Sequence, residues 1–283
     1  MKNILICGSP RVGKTILAKK ISKRLGYIYI SLDNIFESIE ELSCWPYPKY
    51  HDASVISKEL SNFVINFINH LDKEHYYVIE GAYLDILDIY DKIDVNLIGL
   101  TYNDLSKEDL FDRIKKYDKN EWINNFNDDV LIDKCDCFIK RNNYYKECFK
   151  KININTYDLS NNFDSIMNDI VYCLKKEFIG SELDIIIDRP IGSKHPSSDI
   201  IYEVNYGYLP NTLSDDGEEI DCYLLGIDKK VDRYHGECIA IIKRLYDNDD
   251  KLIIAPIGVD YPDEAIEKLI DFQEKHFSHV IIR

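Results

Sequence analysis

Two stretches of this chain concentrate residue types that can handle phosphate. The first, Gly8-Ser9-Pro10-Arg11-Val12-Gly13-Lys14-Thr15, fits the pattern G-x-x-x-x-G-K-[ST]. In such a loop Gly8 and Gly13 let backbone N–H groups turn inward onto phosphate oxygens, and a helix starting near Gly13 adds its positive end. Lys14 would then reach the β and γ phosphates of ATP, with Thr15 on Mg²⁺. The second stretch, Asp215-Asp216-Gly217-Glu218-Glu219-Ile220-Asp221, puts five carboxylates within seven residues, and an acidic turn, Asp247-Asn248-Asp249-Asp250-Lys251, follows it. Carboxylates so crowded repel one another unless cations are near. A hard divalent metal is one compensation, and plain solvation of an acidic hairpin is the other.

The elements that must hold these groups follow from periodicity. Up to about residue 180, short β-branched or aromatic runs alternate with helical stretches, the pattern of βα units around a parallel sheet. Strands are expected at Asn3 to Cys7, Tyr27 to Ile30, Tyr76 to Ile79, Val95 to Leu100 and Ile152 to Tyr157. Between the second and third, apolar residues at Ile56, Leu60, Phe63, Val64, Phe67, Ile68 and Leu71 repeat every 3.6 residues and predict a helix with one buried face. A last helix, Phe163 to about Phe178, follows the capping candidates Ser160-Asn161-Asn162. Beyond Gly180 the grammar changes to strands with turns: Leu183 to Ile187, Ile200 to Val204, Cys222 to Leu225, Glu237 to Lys243 and Leu252 to Ala255. One amphipathic helix, Pro262 to about Lys275, then leads to a strand at Val280 to Arg283. The division predicts two domains, 1–180 and 181–283.

The loop and the residues around it resemble the adenylate-kinase-like and shikimate-kinase-like small P-loop kinases, most closely members with a carboxylate after the second strand and an acidic-Gly-aromatic cluster after the third. Here these are Asp33 in Ser31-Leu32-Asp33-Asn34 and Glu80-Gly81-Ala82-Tyr83. Both stand at C-terminal ends of expected parallel strands, where open α/β sheets bind ligands. The resemblance implies that Asp33 orients or deprotonates an acceptor hydroxyl and that Glu80 holds Mg²⁺ through water; helix capping for Asp33 and solvent exposure for Glu80 are the plainer readings. It also implies mobile cations near the transferred phosphoryl, for which Arg113 and Arg141 are in place, each with a solvated surface arginine as its alternative. The stretch between them is acidic and Asn-rich and lacks an arginine cluster, which argues against AMP as acceptor. Trp45-Pro46-Tyr47-Pro48 would form a loop near the acceptor, as a gate or a plain connector.

The second half is similar to the soluble family I inorganic pyrophosphatases over nearly all of residues 183 to 283. The segments that carry this are Asp188-Arg189-Pro190, Asn205-Tyr206-Gly207-Tyr208, Asp216-Gly217-Glu218-Glu219-Ile220-Asp221 and Asp249-Asp250-Lys251, in that order. The resemblance implies Asp216, Asp221 and Asp249 as Mg²⁺ ligands with Asp188 near the metals, Glu218 as the group that orients or deprotonates the attacking water, and Tyr206 and Lys251 on phosphate, with Arg189 as a further phosphate cation. The sequence also departs from that pattern. Glu218 replaces an aspartate, Asn248 interrupts the second acidic turn, and His276-Phe277 stands where the family has Tyr-Lys.

The two resemblances together imply an α/β P-loop NTPase sheet with flanking helices, joined to a small C-terminal β-barrel of α+β type. They imply Mg²⁺ as cofactor, ATP as nucleotide, pyrophosphate or a related phosphoanhydride as one substrate and a small-molecule or nucleotide acceptor as the other. The expected protein is a pyrophosphatase fused to a kinase-like domain. Its rival is an ATP-sensing regulator whose second domain binds phosphorylated ligands without hydrolysis. The net charge of −15 speaks against nucleic acid and anionic membrane as partners. Residues 181 to 283 hold 22 Asp+Glu against 11 Lys+Arg, so −11 of the total lies in the smaller, second domain. Eight cysteines, no signal-peptide core and no apolar run of 18 residues point to reduced thiols and a cytoplasmic location. Cys135 and Cys137 lack a second pair at zinc spacing, and His276 with His279 reads as helix-end capping.

Overall fold

A computed structural model describes residues 1–40, 53–82, 84–117, 126–214, 216–247 and 249–283. The loop Trp45-Pro46-Tyr47-Pro48, Tyr83, Asp215 and Asn248 lie outside the described residues. The chain divides into two compact units. One comprises residues 2–22 and 27–168, the other Met1, Lys23–Gly26 and Asp169–Arg283.

The first unit is built on a five-stranded parallel sheet. Its strands are β1 (Ile4–Gly8), β2 (Ile28–Ser31), β3 (Tyr77–Gly81), β4 (Asn96–Thr101) and β5 (Asn155–Asp158), in spatial order β2-β3-β1-β4-β5. Flanking helices are α1 (Lys14–Leu25), whose last turn belongs to the other unit, α2 (Leu32–Glu40), α3 (Ala53–Asn69), the single turn α4 (Ile86–Ile89), α5 (Lys107–Tyr117) and α6 (Asp128–Ile152), while α7 (Phe163–Lys175) starts in this unit and continues into the other from Asp169. Central strands β1 and β3 are buried at every residue, with apolar runs covered on both faces and Glu80 as the one charged residue among them. The period in α3 is realised, with Leu60, Val64 and Ile68 in the core beside Phe36 and Tyr145, and Asn66 exposed. The strand expected from Ile152 begins later, because α6 continues to Ile152 and ends at Asn153 in the left-handed conformation, φ 51°. Since all five strands run the same way, Gly8, Ser31, Gly81 and Thr101 end on one edge, where the loop after β1 also lies.

The second unit holds a six-stranded mixed sheet: β6 (Glu182–Arg189), β7 (Asn205–Leu209), β8 (Ile220–Leu224), β9 (Arg233–Arg244), β10 (Lys251–Ala255) and β11 (His279–Ile282), in order β10-β8-β7-β6-β9-β11. β10 pairs with β8 in parallel and with β9 antiparallel. Helix α8 (Asp263–Glu274) contributes Ile266, Ile270 and Phe272 to a core that includes Tyr206, Tyr223, Ile242 and Ile253. Gly207 is required in β7, since a Cβ there would stand 1.9 Å from the Ile186 carbonyl oxygen of β6. The strand expected at Ile200 to Val204 does not form. In that connection Tyr202 donates its N–H to the Ser193 carbonyl and His195 to Ile200, so the hydrogen bonds close locally, and the sheet strand starts at Asn205. No helix among the described residues is long and apolar enough to cross a membrane.

Candidate functional site

In the first unit the glycine loop turns between β1 and α1. Gly8 sits at φ 153° with no room for a Cβ, which would lie 2.5 Å from the Leu100 carbonyl oxygen, and Gly13 sits at φ 107°. Tyr102 braces the loop by donating its hydroxyl to the Arg11 carbonyl at 2.7 Å. Lys14 is buried and its Nζ donates to the Ser9 carbonyl at 2.8 Å. Burial pulls its pKa below the ordinary 10.5, while the negative charges of Asp33 and Glu80 oppose that shift. These two carboxylates therefore share one electrostatic neighbourhood with Lys14.

Glu80, near the end of β3, is only 1% exposed. Its Oε1 accepts from the hydroxyls of Thr15 and Tyr29, both at 3.1 Å, whereas its buried Oε2 has no hydrogen-bond partner. The solvent-exposure reading of Glu80 is thus replaced by a buried carboxylate tied to the loop's threonine. Tyr29, which sequence reasoning passed over as a strand residue, has its hydroxyl pKa pushed up to about 12 by burial and by Glu80. Asp33 lies in the first turn of α2, where its Oδ1 accepts the Ala82 N–H at 3.1 Å, linking the ends of β2 and β3.

The two arginines have different surroundings. Arg113 on α5 donates to the carbonyls of Leu159 and Ser160, 3.1 Å each, with its guanidinium over the Tyr102 ring. Arg141 on α6 lies over the rings of Tyr144 and Tyr145, and its buried Nε and Nη2 have no hydrogen-bond partner. Tyr145 in turn donates to the carbonyls of Ala82 and Leu84, which ties Arg141 to the segment after β3.

In the second unit the acids divide. Asp216 and Glu218 are exposed on a turn, with Asp216 Oδ1 accepting the Glu218 N–H at 3.0 Å and Gly217 at φ 98°. Asp221 and Asp249 are brought together by Lys251, whose Nζ donates to Oδ2 of each at 2.8 Å. The Tyr206 hydroxyl donates to the same Asp221 oxygen at 2.5 Å, and burial with that carboxylate raises the Tyr206 pKa far above its ordinary value. Asp188 pairs with Arg189 at 3.0 Å; burial raises the Asp188 pKa although Arg189 opposes it. The Arg189 guanidinium and the Lys251 ammonium each stand 5.5 Å from the Tyr206 ring centre.

Two residues of this cluster escaped sequence reasoning. Arg244 donates through Nε and Nη2 to Glu274, at 2.9 and 2.8 Å, and through Nη1 to Asp249 at 2.8 Å and Asp247 at 3.3 Å. Glu274 also accepts the Tyr223 hydroxyl at 2.5 Å. The signal for Glu274 was present, because Ile266, Ile270 and Glu274 stand four apart and share the buried face of α8. Arg244 gave no comparable sign at the end of an apolar strand. Among the described residues no three His, Cys, Asp or Glu side chains are grouped so as to hold a metal ion.

Comparison with known proteins follows the same division. "Shikimate kinase" of Clostridium botulinum (strain ATCC 19397 / Type A) is 34% identical to the chain over 131 residues, 44% of this chain and 73% of the relative. The chain belongs to the shikimate kinase family. The match covers its N-terminal part. A protein of the same name from C. botulinum (strain Kyoto / Type A2) matches to the same extent. Residues 175–281 match the family model described as inorganic pyrophosphatase. Among solved structures, the chain is similar to an inorganic pyrophosphatase from Neisseria gonorrhoeae (21% identity, 33% of this chain and 72% of that chain, TM-score 0.28). Another, from Ehrlichia chaffeensis, has 16% identity over 36% of this chain and 84% of that chain, with a TM-score of 0.29. This shikimate kinase family member is a two-domain protein of phosphate chemistry.

Proposed function

We propose that the first domain, residues 1–180, transfers the γ-phosphoryl of ATP to a hydroxyl of a small-molecule acceptor. The observation that carries this is the meeting of Lys14, Thr15 and Glu80: a buried ammonium beside two carboxylates, with one buried carboxylate oxygen lacking any partner. Gly8 and Gly13 would cradle the phosphates, and Lys14 would exchange the Ser9 carbonyl for phosphate oxygens. The donor set fits Mg²⁺, with the Thr15 hydroxyl and Glu80 as the residues that would hold it, directly or through water. Bound there, the ion neutralises charge building on the phosphates. Asp33 orients the acceptor hydroxyl and takes up its proton. Arg141, with two buried guanidinium nitrogens lacking partners, binds an anionic group of the acceptor or the transferred phosphoryl, and Arg113 stabilises the segment around Leu159 and Ser160 as it adds positive charge. Shikimate, the substrate in the relatives' name, is the first acceptor to assay. In the test, ADP formation and Mg-ATP binding are measured across a panel of hydroxy acids and nucleotides. Lys14→Ala should abolish both, and unchanged ATP affinity in that variant would overturn the assignment.

For the second domain, residues 181–283, the family model implies pyrophosphate or a related phosphoanhydride as ligand. The run of strand pairings β10-β8-β7-β6-β9, with β10 also joined to β9, supports a small barrel. The metal set expected there, Asp188, Asp216, Asp221 and Asp249, fits a divalent ion poorly. Asp221 and Asp249 already accept from Lys251, Asp249 also accepts from Arg244, and Asp188 pairs with Arg189. The proposed attacking-water residue, Glu218, is on the exposed turn with Asp216. This favours the second reading, in which the domain binds a phosphorylated ligand without metal-assisted hydrolysis. Release of phosphate from pyrophosphate that needs Mg²⁺ and vanishes in Asp221→Asn would reverse that preference.

A further inference from the structure

In the second unit Arg244 and Lys251 match the carboxylates of Asp221, Asp247, Asp249 and Glu274 from within. Arg244 and Lys251 are 4% and 1% exposed in their side chains, and Glu274 is 0% exposed. Arg244 engages Glu274 with Nε and Nη2, and Asp249 and Asp247 with Nη1. Its guanidinium also lies 3.6 Å from the centre of the Phe277 ring, which fixes the plane. Lys251 holds Asp221 and Asp249 together, and the neighbouring Asp250 is paired with Lys175 at 3.1 Å.

We infer that Arg244, locked by Glu274, is a built-in cation that takes the place of a divalent metal beside Asp221 and Asp249. A flexible lysine can swing away from a carboxylate when a metal arrives. Arg244 cannot: its guanidinium does not deprotonate, and moving it would strand the fully buried Glu274 without its partner. An ion bound by Asp249 would have to sit a few ångströms from that permanent positive charge, in surroundings that screen it weakly. The acid motif therefore survives as one side of an internal salt network. Arg244 is a positioning residue, acting through Asp249 and Glu274. The inference rests on the reading of this domain as one that works without metal-assisted hydrolysis, and adds the residue that makes it so.

The test uses the full chain without nucleotide and counts bound Mn²⁺ by electron paramagnetic resonance up to about 1 mM. Wild type and Asp221→Asn should bind the same amount, since any ion held elsewhere is common to both. The pair Arg244→Met with Glu274→Gln removes the internal cation and its counter-charge together, and should gain one equivalent of Mn²⁺ with affinity roughly a hundred-fold above wild type, lost again when Asp221→Asn is added. Arg244→Gln with Glu274→Gln repeats the measurement with hydrogen-bonding side chains, should methionine unsettle the fold. Loss of one Mn²⁺ on going from wild type to Asp221→Asn would overturn both the inference and the reading beneath it. Absence of a gain in both folded double variants would overturn the role of Arg244 alone.

Discussion

Replacement of Glu80 by Gln should move stability and activity in opposite directions. In the wild type the carboxylate is 1% exposed, Oε1 accepts from Thr15 and Tyr29, and Oε2 accepts from nothing. An unpartnered buried acceptor costs about 1–3 kcal/mol, at the upper end when charged. Glutamine keeps the Oε1 acceptor for both hydroxyls and exchanges a buried charge for a neutral amide; Asp33, the larger favourable charge on Lys14, still faces the ammonium, so the relief of desolvation outweighs the attraction lost and the ligand-free chain should gain about 1 kcal/mol. In a unit of this size that is a rise in melting temperature of roughly 2–4 °C. Mg-ATP should reverse the order. Ligand at 100 times its dissociation constant stabilises by about 2.7 kcal/mol, and a hundred-fold loss of affinity on removing the negative charge beside Thr15 would erase most of that. Mg²⁺-dependent turnover should fall by roughly 10²–10³, as when one fixed electrostatic group is lost from a transition-state site. Thermal melts with and without Mg-ATP, paired with turnover measurements, read both effects. If Glu80→Gln lowers the ligand-free melting temperature and leaves Mg-ATP stabilisation and turnover at wild-type values, Glu80 is a core residue and the reasoning fails.

Two further outcomes follow from the same buried charges. In urea unfolding, Arg244→Met should cost about 3–5 kcal/mol by leaving Glu274 uncompensated, whereas Arg244→Met with Glu274→Gln should fall within about 1–2 kcal/mol of wild type; equal losses in the two would show that packing, not charge, sets the effect. Lys14, whose folded pKa is lowered by burial, carries fewer protons folded than unfolded between that value and 10.5. Ligand-free stability should therefore gain as pH rises through this window, while ATP affinity falls as the ammonium is lost, and both trends should be absent in Lys14→Met when followed from about pH 7 to pH 10.

Much of the first unit was legible because each requirement is local. The loop needs two glycines, a lysine and a threonine at fixed spacing, and parallel strands bring Asp33 and Glu80 to the same edge wherever periodicity puts them at strand ends. What could not be read was that Tyr29 would share Glu80 with Thr15, since a tyrosine inside a short strand gives no sign of which carboxylate it meets. In the second unit the acidic runs were plain, but their partners come from distant segments. Arg244 meets Glu274 thirty residues on, and Lys251 meets Asp221 thirty residues back. Spacing along the chain carries no record of such pairings, so the cations that face these acids could not be read from it. The missing strand at Ile200 has a similar cause, because its backbone partners are at Ser193 and His195 in the preceding turn.

The contrast between the surroundings of Glu80 and the Arg244 network gives a physical criterion for telling a ligand site from a structural one; it is one of sites and not of units, since Arg189 Nε in the second unit is also buried without a partner. Both contain buried acids facing buried cations, so burial and charge alone do not distinguish them. Saturation does. Around Glu80 and Arg141 a carboxylate oxygen and two guanidinium nitrogens are buried without partners, a state that costs free energy until something brings the matching donor or acceptor. Around Arg244 every nitrogen of the guanidinium is engaged, and Glu274 accepts on both oxygens. A polar network with its capacity filled resists any newcomer that must break it, whereas one left short is lowered in free energy by a ligand of complementary charge. On that ground the site around Glu80 is the one a ligand of complementary charge would stabilise, while the acids around Arg244 and Lys251 are already matched by internal cations.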